Sequence, residues 1–265
     1  MKNEMLDTFT KFNNLKDLLK KQGKLWIDWP RPQLYNTCSW VIPWKVYTIW
    51  AYSNVWKSKF AYAHVAYFLR AGKKVLFINL EVDAEHCLMN VIQAMYGLSY
   101  KEVMNFEVTD NVIKDFENLT ITDDLYKLDD IVKKIEDEKA DIVFIDFVQN
   151  IEGKGMWDYE KNATVAKTIQ RTAIQTKSTI YSLSQLSNSV WRDVNNGNTD
   201  FISLKGSWEY FASSDVIFIL QRCDDEMIIK ISKNKFGKNG WEYAFDVDFS
   251  RNQFTFKRTN DGLDD

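Results

Sequence analysis

The chain has 265 residues, enough for one large domain with a complete hydrophobic core, with or without a short extension. Its formal net charge of -3 at pH 7 excludes a globally basic surface, so any nucleic-acid contact must be local. The three cysteines share no metal-ligand spacing, and no apolar stretch reaches the ~18 residues of a membrane helix or forms a signal peptide. The sequence therefore predicts a soluble cytoplasmic protein with reduced thiols and no membrane partner.

The first part of the chain contains an amphipathic pattern. Over residues 5–22, apolar residues recur at helical spacing with lysines on the opposite face. This pattern predicts a helix that docks on its own core or on a neighbouring subunit. Residues 23–45 contain all three prolines and predict an irregular connector. We therefore divide the chain into an N-terminal helix and connector (1–39), a main domain (40–258) and an acidic tail (259–265).

From residue 46 onward, predicted strands alternate with predicted helices. Apolar runs such as DIVFIDF (141–147) are typical of strands at the centre of a parallel sheet. Longer segments such as KSKFAYAHVAYFLRAG (57–72) predict helices. This alternation predicts a three-layer α/β domain with a mostly parallel central sheet, whose ligand lies at the carboxyl ends of the strands.

Residues 51–58, AYSNVWKS, have the frame of a phosphate-binding loop. Such a loop wraps its backbone N–H groups around nucleotide phosphates, and a Lys-Ser pair follows to hold phosphate and Mg²⁺. Trp56 stands where the loop requires glycine, and an indole there would fill the space that the phosphate needs. The predicted site for ATP and Mg²⁺ consists of six consecutive residues: Ser53, Asn54, Val55, Trp56, Lys57 and Ser58.

Tryptophan is over-represented in this chain and glycine is depleted. There are 10 of each, whereas glycine alone usually makes up about 7% of residues. Replacement by glycine would restore ordinary turn or loop sequences at four positions, Trp44, Trp50, Trp56 and Trp208. We interpret these four as products of a gene that uses UGA for glycine, translated here with UGA as tryptophan. The alternative is a tryptophan-rich protein with a degraded phosphate loop.

Three further polar residues follow predicted strands and should meet the phosphate loop at one edge of the sheet. Glu81, at the end of KKVLFINLE, could orient and deprotonate an attacking water. Asp146, in the apolar run DIVFIDF, could hold Mg²⁺, and Gln185, in SLSQL, could sense the γ-phosphate. Each has another interpretation, since a strand-end acid often caps a helix or turn. Their common order and spacing favour the catalytic interpretation.

Five segments resemble the successive motifs of the ATPase domains of DnaB-type replicative helicases, which have a RecA-like fold. The resemblance covers about residues 40–250. The segments are NLEVDAEH (79–86), IDFVQNI (145–151), SLSQLSNSV (182–190), KGSWEYFASSDVIFILQR (205–222) and ISKNKFGKNG (231–240).

The resemblance implies a role for each matching residue. Lys57 and Ser58 match the phosphate-loop pair, Glu81 the catalytic glutamate, Asp146 the Mg²⁺ acid and Gln185 the sensor. In the KNKFG segment, the family has a basic residue that reaches into the active site of the neighbouring subunit. The matching positions are Lys233 and Lys235, so lysine replaces the usual arginine finger. RecA-like recombinases also use lysines in that role.

Nucleic-acid contacts in this family come from two loops that follow the central strands. Here these are residues 150–161 and 187–205, both polar and rich in glycine or asparagine, as is typical of loops that line a channel. Lys154, Arg192 and Lys205 are the candidate phosphate contacts. The alternative for each is an ordinary solvated loop residue.

The sequence thus predicts an ATP-dependent DNA helicase or translocase. By resemblance, it would act on single-stranded DNA as a ring or helical homo-oligomer, a hexamer by family likeness, with a primase or loader as a further partner. Two alternatives remain at this stage. One is a single-domain RecA-like recombinase or strand-annealing ATPase. The other is a non-catalytic oligomeric nucleic-acid binder, if Trp56 is the residue in the living protein.

Overall fold

The computed structural model describes residues 41–52, 55–152, 158–186 and 208–260. The predicted helix at 5–22 lies outside these residues, as does the end of the acidic tail. Five of the predicted site residues also lie outside them, namely Ser53, Asn54, Lys154, Arg192 and Lys205.

The strands of the described residues form one sheet in the order β3-β2-β4-β5-β1-β6-β7-β8-β9. The first six of these strands run parallel, and β7, β8 and β9 extend the sheet with antiparallel pairs. Their bounds are β1 Val46–Ala51, β2 Val75–Asn79, β3 Leu119–Thr122, β4 Ile142–Asp146, β5 Thr179–Gln185, β6 Val216–Cys223, β7 Glu226–Asn234, β8 Glu242–Asp248 and β9 Gln253–Asn260.

Helices connect the parallel strands, as right-handed crossovers between such strands require. A short 3₁₀ turn, Val148–Asn150, follows β4. The α-helices are α1 Lys57–Arg70, α2 Ala84–Tyr96, α3 Tyr100–Met104, α4 Asp110–Asp115, α5 Leu128–Glu138, α6 Asp158–Thr176 and α7 Trp208–Ser213.

The core lies on both faces of the central strands. Every residue of β1, β2 and β4 is buried, which agrees with their near-continuous apolar sequences. Helix α1 packs with α2 and contacts β1, β2 and β4, whereas α6 packs with α5 and α7 and contacts β1 and β5. The predicted three-layer α/β fold with a mostly parallel sheet is therefore confirmed.

The turn between β8 and β9 docks on α1 and α2. The Lys59 ammonium donates to the Phe249 carbonyl at 3.1 Å and to Asn252 Oδ1 at 2.8 Å. Asn252 Nδ2 in turn donates to the Asn90 carbonyl at 3.0 Å, and Gln93 Nε2 donates to the Ser250 carbonyl at 2.8 Å. These bonds hold the antiparallel end of the sheet against the helices that flank the phosphate loop.

Several boundaries differ from the sequence prediction. Strand β1 continues through Trp50 to Ala51, and β9 runs to Asn260, two residues beyond the predicted domain end. The short helices α3, α4 and α7 were not predicted, because segments of five or six residues carry too little periodicity to be recognised. Among the described helices, none has the length and apolar character needed to cross a membrane.

Candidate nucleotide-binding site

A cleft opens at the carboxyl ends of β1, β2, β4 and β5. The described residues at positions 55–58 of the phosphate loop form its floor, and the predicted residues Glu81, Asp146 and Gln185 all line it. Its other lining residues are Tyr52, Lys59, Tyr62, Asn79, Val82, His86 and Asn90. The structure therefore brings together the predicted site residues of four separate chain segments.

Lys57 is the first residue of α1 and lies almost completely buried. Its ammonium is 3.3 Å from Asp146 Oδ1 and 4.5 Å from the centre of the Phe147 ring. The N-terminus of a helix favours negative charge because unpaired N–H groups and the helix dipole point outward there. Lys57 and the start of α1 thus make the floor of the cleft suitable for an anion.

Asp146 ends β4 and is only 1% exposed. Its Oδ1 makes no hydrogen bond among the described residues, and its contact there is the ion pair with Lys57. Ser58, in the first turn of α1, lines the same cleft. A carboxylate oxygen and a hydroxyl on adjacent segments are the kind of ligands that Mg²⁺ accepts beside phosphate oxygens. These two residues fit the predicted metal role.

Glu81 lies two residues beyond β2, and its position is fixed by Asn79. Asn79 is fully buried, and its Oδ1 accepts hydrogen bonds from the N–H groups of Glu81 at 3.1 Å and Val82 at 3.2 Å. Desolvation raises the pKa of the Glu81 carboxyl, the negative charge of Asp146 raises this pKa further, and Lys57 opposes the shift. A raised pKa makes a carboxylate a better proton acceptor near neutral pH.

Gln185 is the last residue of β5, with its side chain exposed at the cleft. On one side, its strand pairs with β1, where Ala51 lies opposite Gln185. On the other side, the carboxamide of Gln149 bonds to both the N–H and the carbonyl of Gln185. Gln185 therefore lies between the start of the phosphate loop and the segment that follows Asp146.

Trp56 adopts a left-handed backbone conformation, with φ 55° and ψ 35°. This region is costly for residues with a Cβ and readily accessible to glycine. The indole is pressed against Phe249, with ring centroids 3.2 Å apart, and the Arg222 guanidinium lies 3.7 Å from the centre of the indole ring. Ordinary aromatic pairs are roughly 4.5–7 Å apart. Both the backbone and the crowding at this position favour glycine over tryptophan.

The other three suspected glycine positions differ from one another. Trp44 also has a left-handed backbone, with φ 64°. Trp50, in contrast, lies within β1 with its side chain fully buried, 6.3 Å from the Phe211 ring. Trp208 is the first residue of α7 rather than a turn residue. The backbone at Trp44 and Trp56 thus agrees with the predicted glycine, while Trp50 occupies an ordinary strand position.

Lys233 and Lys235 lie at the opposite edge of the sheet. The Lys235 ammonium contacts Asp215 Oδ1 at 2.9 Å, and Asp215 Oδ2 accepts from the Val46 N–H at the beginning of β1. The Lys233 ammonium donates to the Phe211 carbonyl. Strand β1 has six residues, which at ~3.3 Å each place these lysines roughly 17–20 Å from the phosphate loop. Neither side chain is long enough to reach the cleft of its own chain.

Sequence reasoning missed most of the polar wall of the cleft. Asn79, His86 and Asn90 line it but belong to no phosphate-binding motif. The position of Asn79 at the end of a buried strand was the one available signal, because a polar residue there can shape the following turn. His86 and Asn90 lie one turn apart on α2, and only the packing of α2 against α1 brings them to the cleft.

No protein-family model matches the chain. A segment of 182 residues, 62% of the chain, is 28% identical to a probable plasmid replicative DNA helicase of Chlamydia muridarum (strain MoPn / Nigg) and corresponds to 40% of that protein. The matched segment therefore spans less than half of this curated relative.

Two solved structures share the architecture. One, an isolated ATPase domain of a DnaB-like helicase, has a TM-score of 0.76 at 15% identity, over 97% of this chain and 99% of that one. The other, a DnaB-like replicative helicase described together with its interactions with primase, has a TM-score of 0.74 at 16% identity, over 86% and 63% of the two chains. At these identities the likeness establishes the fold. The chain has the RecA-like ATPase fold of DnaB-type replicative helicase domains, as its motifs predicted.

Proposed function

We propose that the chain is the ATPase domain of a DnaB-type replicative helicase, which hydrolyses ATP between subunits and moves along single-stranded DNA. The observation that carries this proposal is the separation of two sets of charged residues. The phosphate-binding cleft lies at the carboxyl edge of the sheet, whereas Lys233 and Lys235 lie at the amino edge. A homo-oligomer would bring the amino edge of one copy to the cleft of the next.

Within the cleft, each residue has a distinct task. Lys57 and the N-terminus of α1 attract and position the phosphates. Ser58 and Asp146 would hold Mg²⁺, which neutralises charge on the phosphate oxygens when it is bound. Glu81 orients the attacking water and accepts its proton, with its pKa raised toward neutral by burial and by Asp146. Gln185 would report the state of the γ-phosphate to the chain beyond β5.

At the interface, a lysine from the neighbouring copy would approach the γ-phosphate. Lys235 is the proposed finger, and Lys233 supports it by keeping positive charge at the same edge. A cation supplied in this way stabilises charge that develops in the transition state, so it accelerates hydrolysis without being required for nucleotide binding.

The two loops that follow β4 and β5 would contact DNA. Lys154, Arg192 and Lys205 are the proposed phosphate contacts. A hexamer, with a primase or a loader as a partner, is the assembly that we propose from the likeness to the replicative helicases.

We also propose that glycine occupies positions 44, 50, 56 and 208 in the living protein. The positive φ angles of Trp44 and Trp56 support this at two of the four positions. Glycine at position 56 would remove the indole from the cleft and relieve the backbone where the phosphates are bound.

The test uses the full chain with glycine at these four positions. We expect ATP turnover that rises with protein concentration and with added single-stranded DNA, together with unwinding of a forked duplex. Turnover without unwinding would instead support a RecA-like recombinase, the alternative favoured by lysine at position 235. DNA binding without any turnover would identify a non-catalytic binder and overturn the proposal.

A further inference from the structure

Gln149 occupies a position where the main-chain ladder between β4 and β5 ends. The two strands pair through Asp146 and Leu183, after which the chain leaves β4 through the 3₁₀ turn. The Gln149 side chain continues the pairing in place of the strand. Its Nε2 donates to the Gln185 carbonyl at 2.9 Å, and its Oε1 accepts from the Gln185 N–H at 3.3 Å. A carboxamide can do both because it carries a donor and an acceptor on one plane.

Gln149 also fixes the neighbourhood of Gln185. Its Nε2 lies 2.7 Å from the buried Ser184 hydroxyl. On the far side, the N–H of Leu186, the residue after Gln185, donates to the carbonyl of Ala51 at 2.9 Å. The end of β5 is thus held from both sides, by the start of the phosphate loop and by Gln149.

The main chain of Gln149 is tied to the helix that follows the first proposed DNA-binding loop. The Lys161 ammonium, on α6, donates to the Gln149 carbonyl at 3.1 Å. Gln149 itself directly precedes the loop at 150–161, and Leu186 directly precedes the loop at 187–205. One residue therefore bonds to the proposed γ-phosphate sensor and to the beginnings of both proposed DNA-binding segments.

We propose that Gln149 is the positioning residue that couples the nucleotide sensed by Gln185 to the two DNA-binding loops. This inference rests on the proposed function, since it assigns a coupling role within that ATPase. Gln149 touches neither nucleotide nor DNA in this role. A movement of the Gln185 main chain is transmitted through the carboxamide to the 3₁₀ turn and, through Lys161, to α6.

The test compares two substitutions in the full chain with glycine at positions 44, 50, 56 and 208. Gln149→Leu keeps the approximate size and removes both bonds to Gln185, whereas Gln149→Glu keeps an acceptor and removes the donor. The matched control is Gln93→Leu, which removes another buried glutamine that bonds to a backbone carbonyl, that of Ser250, away from the cleft. The measurements are KM for ATP, and kcat with and without single-stranded oligothymidylate.

For Gln149→Leu, we expect KM and DNA-free kcat within about two-fold of the parent, and a loss of roughly tenfold in stimulation by DNA. Coupling between two sites is typically worth 5–150-fold. Gln149→Glu should lose stimulation to a similar or smaller extent, and amide hydrogen exchange at Gln185 should become faster in both variants. Gln93→Leu should keep the stimulation of the parent.

Three results would overturn the inference. If Gln149→Leu and Gln149→Glu both keep the full stimulation by DNA, the coupling does not pass through Gln149, while the proposed function stands. If both lower DNA-free and DNA-stimulated kcat equally, or if neither folds, Gln149 has only a structural role. If the parent itself shows no turnover or no response to DNA, the proposed function fails and the inference fails with it.

Discussion

The two edges of the parallel sheet carry opposite halves of one predicted reaction. At the carboxyl edge, Lys57, Glu81 and Asp146 come from three different strand ends and face one cleft. At the amino edge, Lys233 and Lys235 are held by groups of their own chain and face no such cleft among the described residues. The comparison teaches that one chain presents both parts of the site, at positions too far apart to meet within that chain.

The contacts at the amino edge are compatible with release. The Lys235 side chain is 41% exposed while it pairs with Asp215. Ion pairs with an exposed partner contribute only about 0–1 kcal/mol. Lys235 can therefore exchange Asp215 for a phosphate at little cost. The pair of Lys57 and Asp146 differs because both groups are buried, so Lys57 stays in place at the floor of the cleft.

The largest effect should come from the amino edge. In a Trp56→Gly background, we expect Lys235→Ala to abolish DNA-stimulated hydrolysis while each subunit still binds nucleotide. Basic residues supplied in trans contribute roughly 10³–10⁵ in rate to other phosphoryl-transfer enzymes. The measurement is ATP turnover with and without DNA, alongside nucleotide binding by fluorescence.

Mixing of variants tests whether the two edges act in different subunits. Lys235→Ala subunits should be partly rescued by Glu81→Gln subunits, because each supplies the half that the other lacks. Hydrolysis by dilute monomer, without any complementation, would place the complete site within one chain.

At the carboxyl edge, we expect Glu81→Gln in the same background to bind ATP normally and to hydrolyse it more slowly by a factor of about 10² or more. This is the usual scale for loss of a general base. The amide keeps the shape of the side chain but cannot accept the proton. Single-turnover hydrolysis measures the change, and turnover within a few-fold of the parent would remove Glu81 from the mechanism.

The tryptophans provide a third test of the carboxyl edge. The chain as written should bind Mg-ATP poorly, and the chain with glycine at positions 44, 50, 56 and 208 should bind it. At a ligand concentration 100 times Kd, binding should raise the free energy of unfolding by about 2.7 kcal/mol. Thermal unfolding with and without Mg-ATP measures the difference, and tight binding by the Trp56 protein would refute the steric argument.

The gene gives an independent check of the same idea. We expect UGA codons at positions 44, 50, 56 and 208. The structure makes positions 44 and 56 the most informative, because their backbones have positive φ. UGG codons at all four positions would end the recoding hypothesis.

The smallest effect is a pH dependence at the amino edge. Burial lowers the pKa of the Lys233 ammonium to about 8, with a contribution from the nearby charge of Lys235, while Asp215 opposes the shift. Lys233 is therefore charged below about pH 8 and loses its charge as the pH rises above that value. DNA-stimulated turnover should fall by a few-fold between about pH 7 and pH 9, because a neutral amine no longer stabilises phosphate charge.

Lys233→Arg is the matched control, because arginine stays charged throughout this range. Its turnover should lack this decline. The same pH profile in both proteins would show that the charge of Lys233 does not contribute.

Much of the fold could be predicted from the sequence. The apolar runs that form β2 and β4 are long enough and sufficiently bounded by polar residues to be recognised as buried strands. Glu81 and Asp146 follow from the rule that polar residues at strand ends face the ligand. The hexamer, the DNA contacts and the roles of Lys154, Arg192 and Lys205 stay predictions.

What the sequence by itself determined was the order of strands and helices and the identity of the residues at the strand ends, because these depend on local periodicity and spacing. Tertiary structure alone decided the rest. The contacts of Gln149 with Gln185, and of Phe249 with Trp56, join residues that lie far apart in the chain. Local sequence patterns carry no signal for such pairs, since their meeting depends on how strands and helices pack in three dimensions. The separation of Lys235 from Lys57 likewise follows from the direction and length of β1 in the sheet.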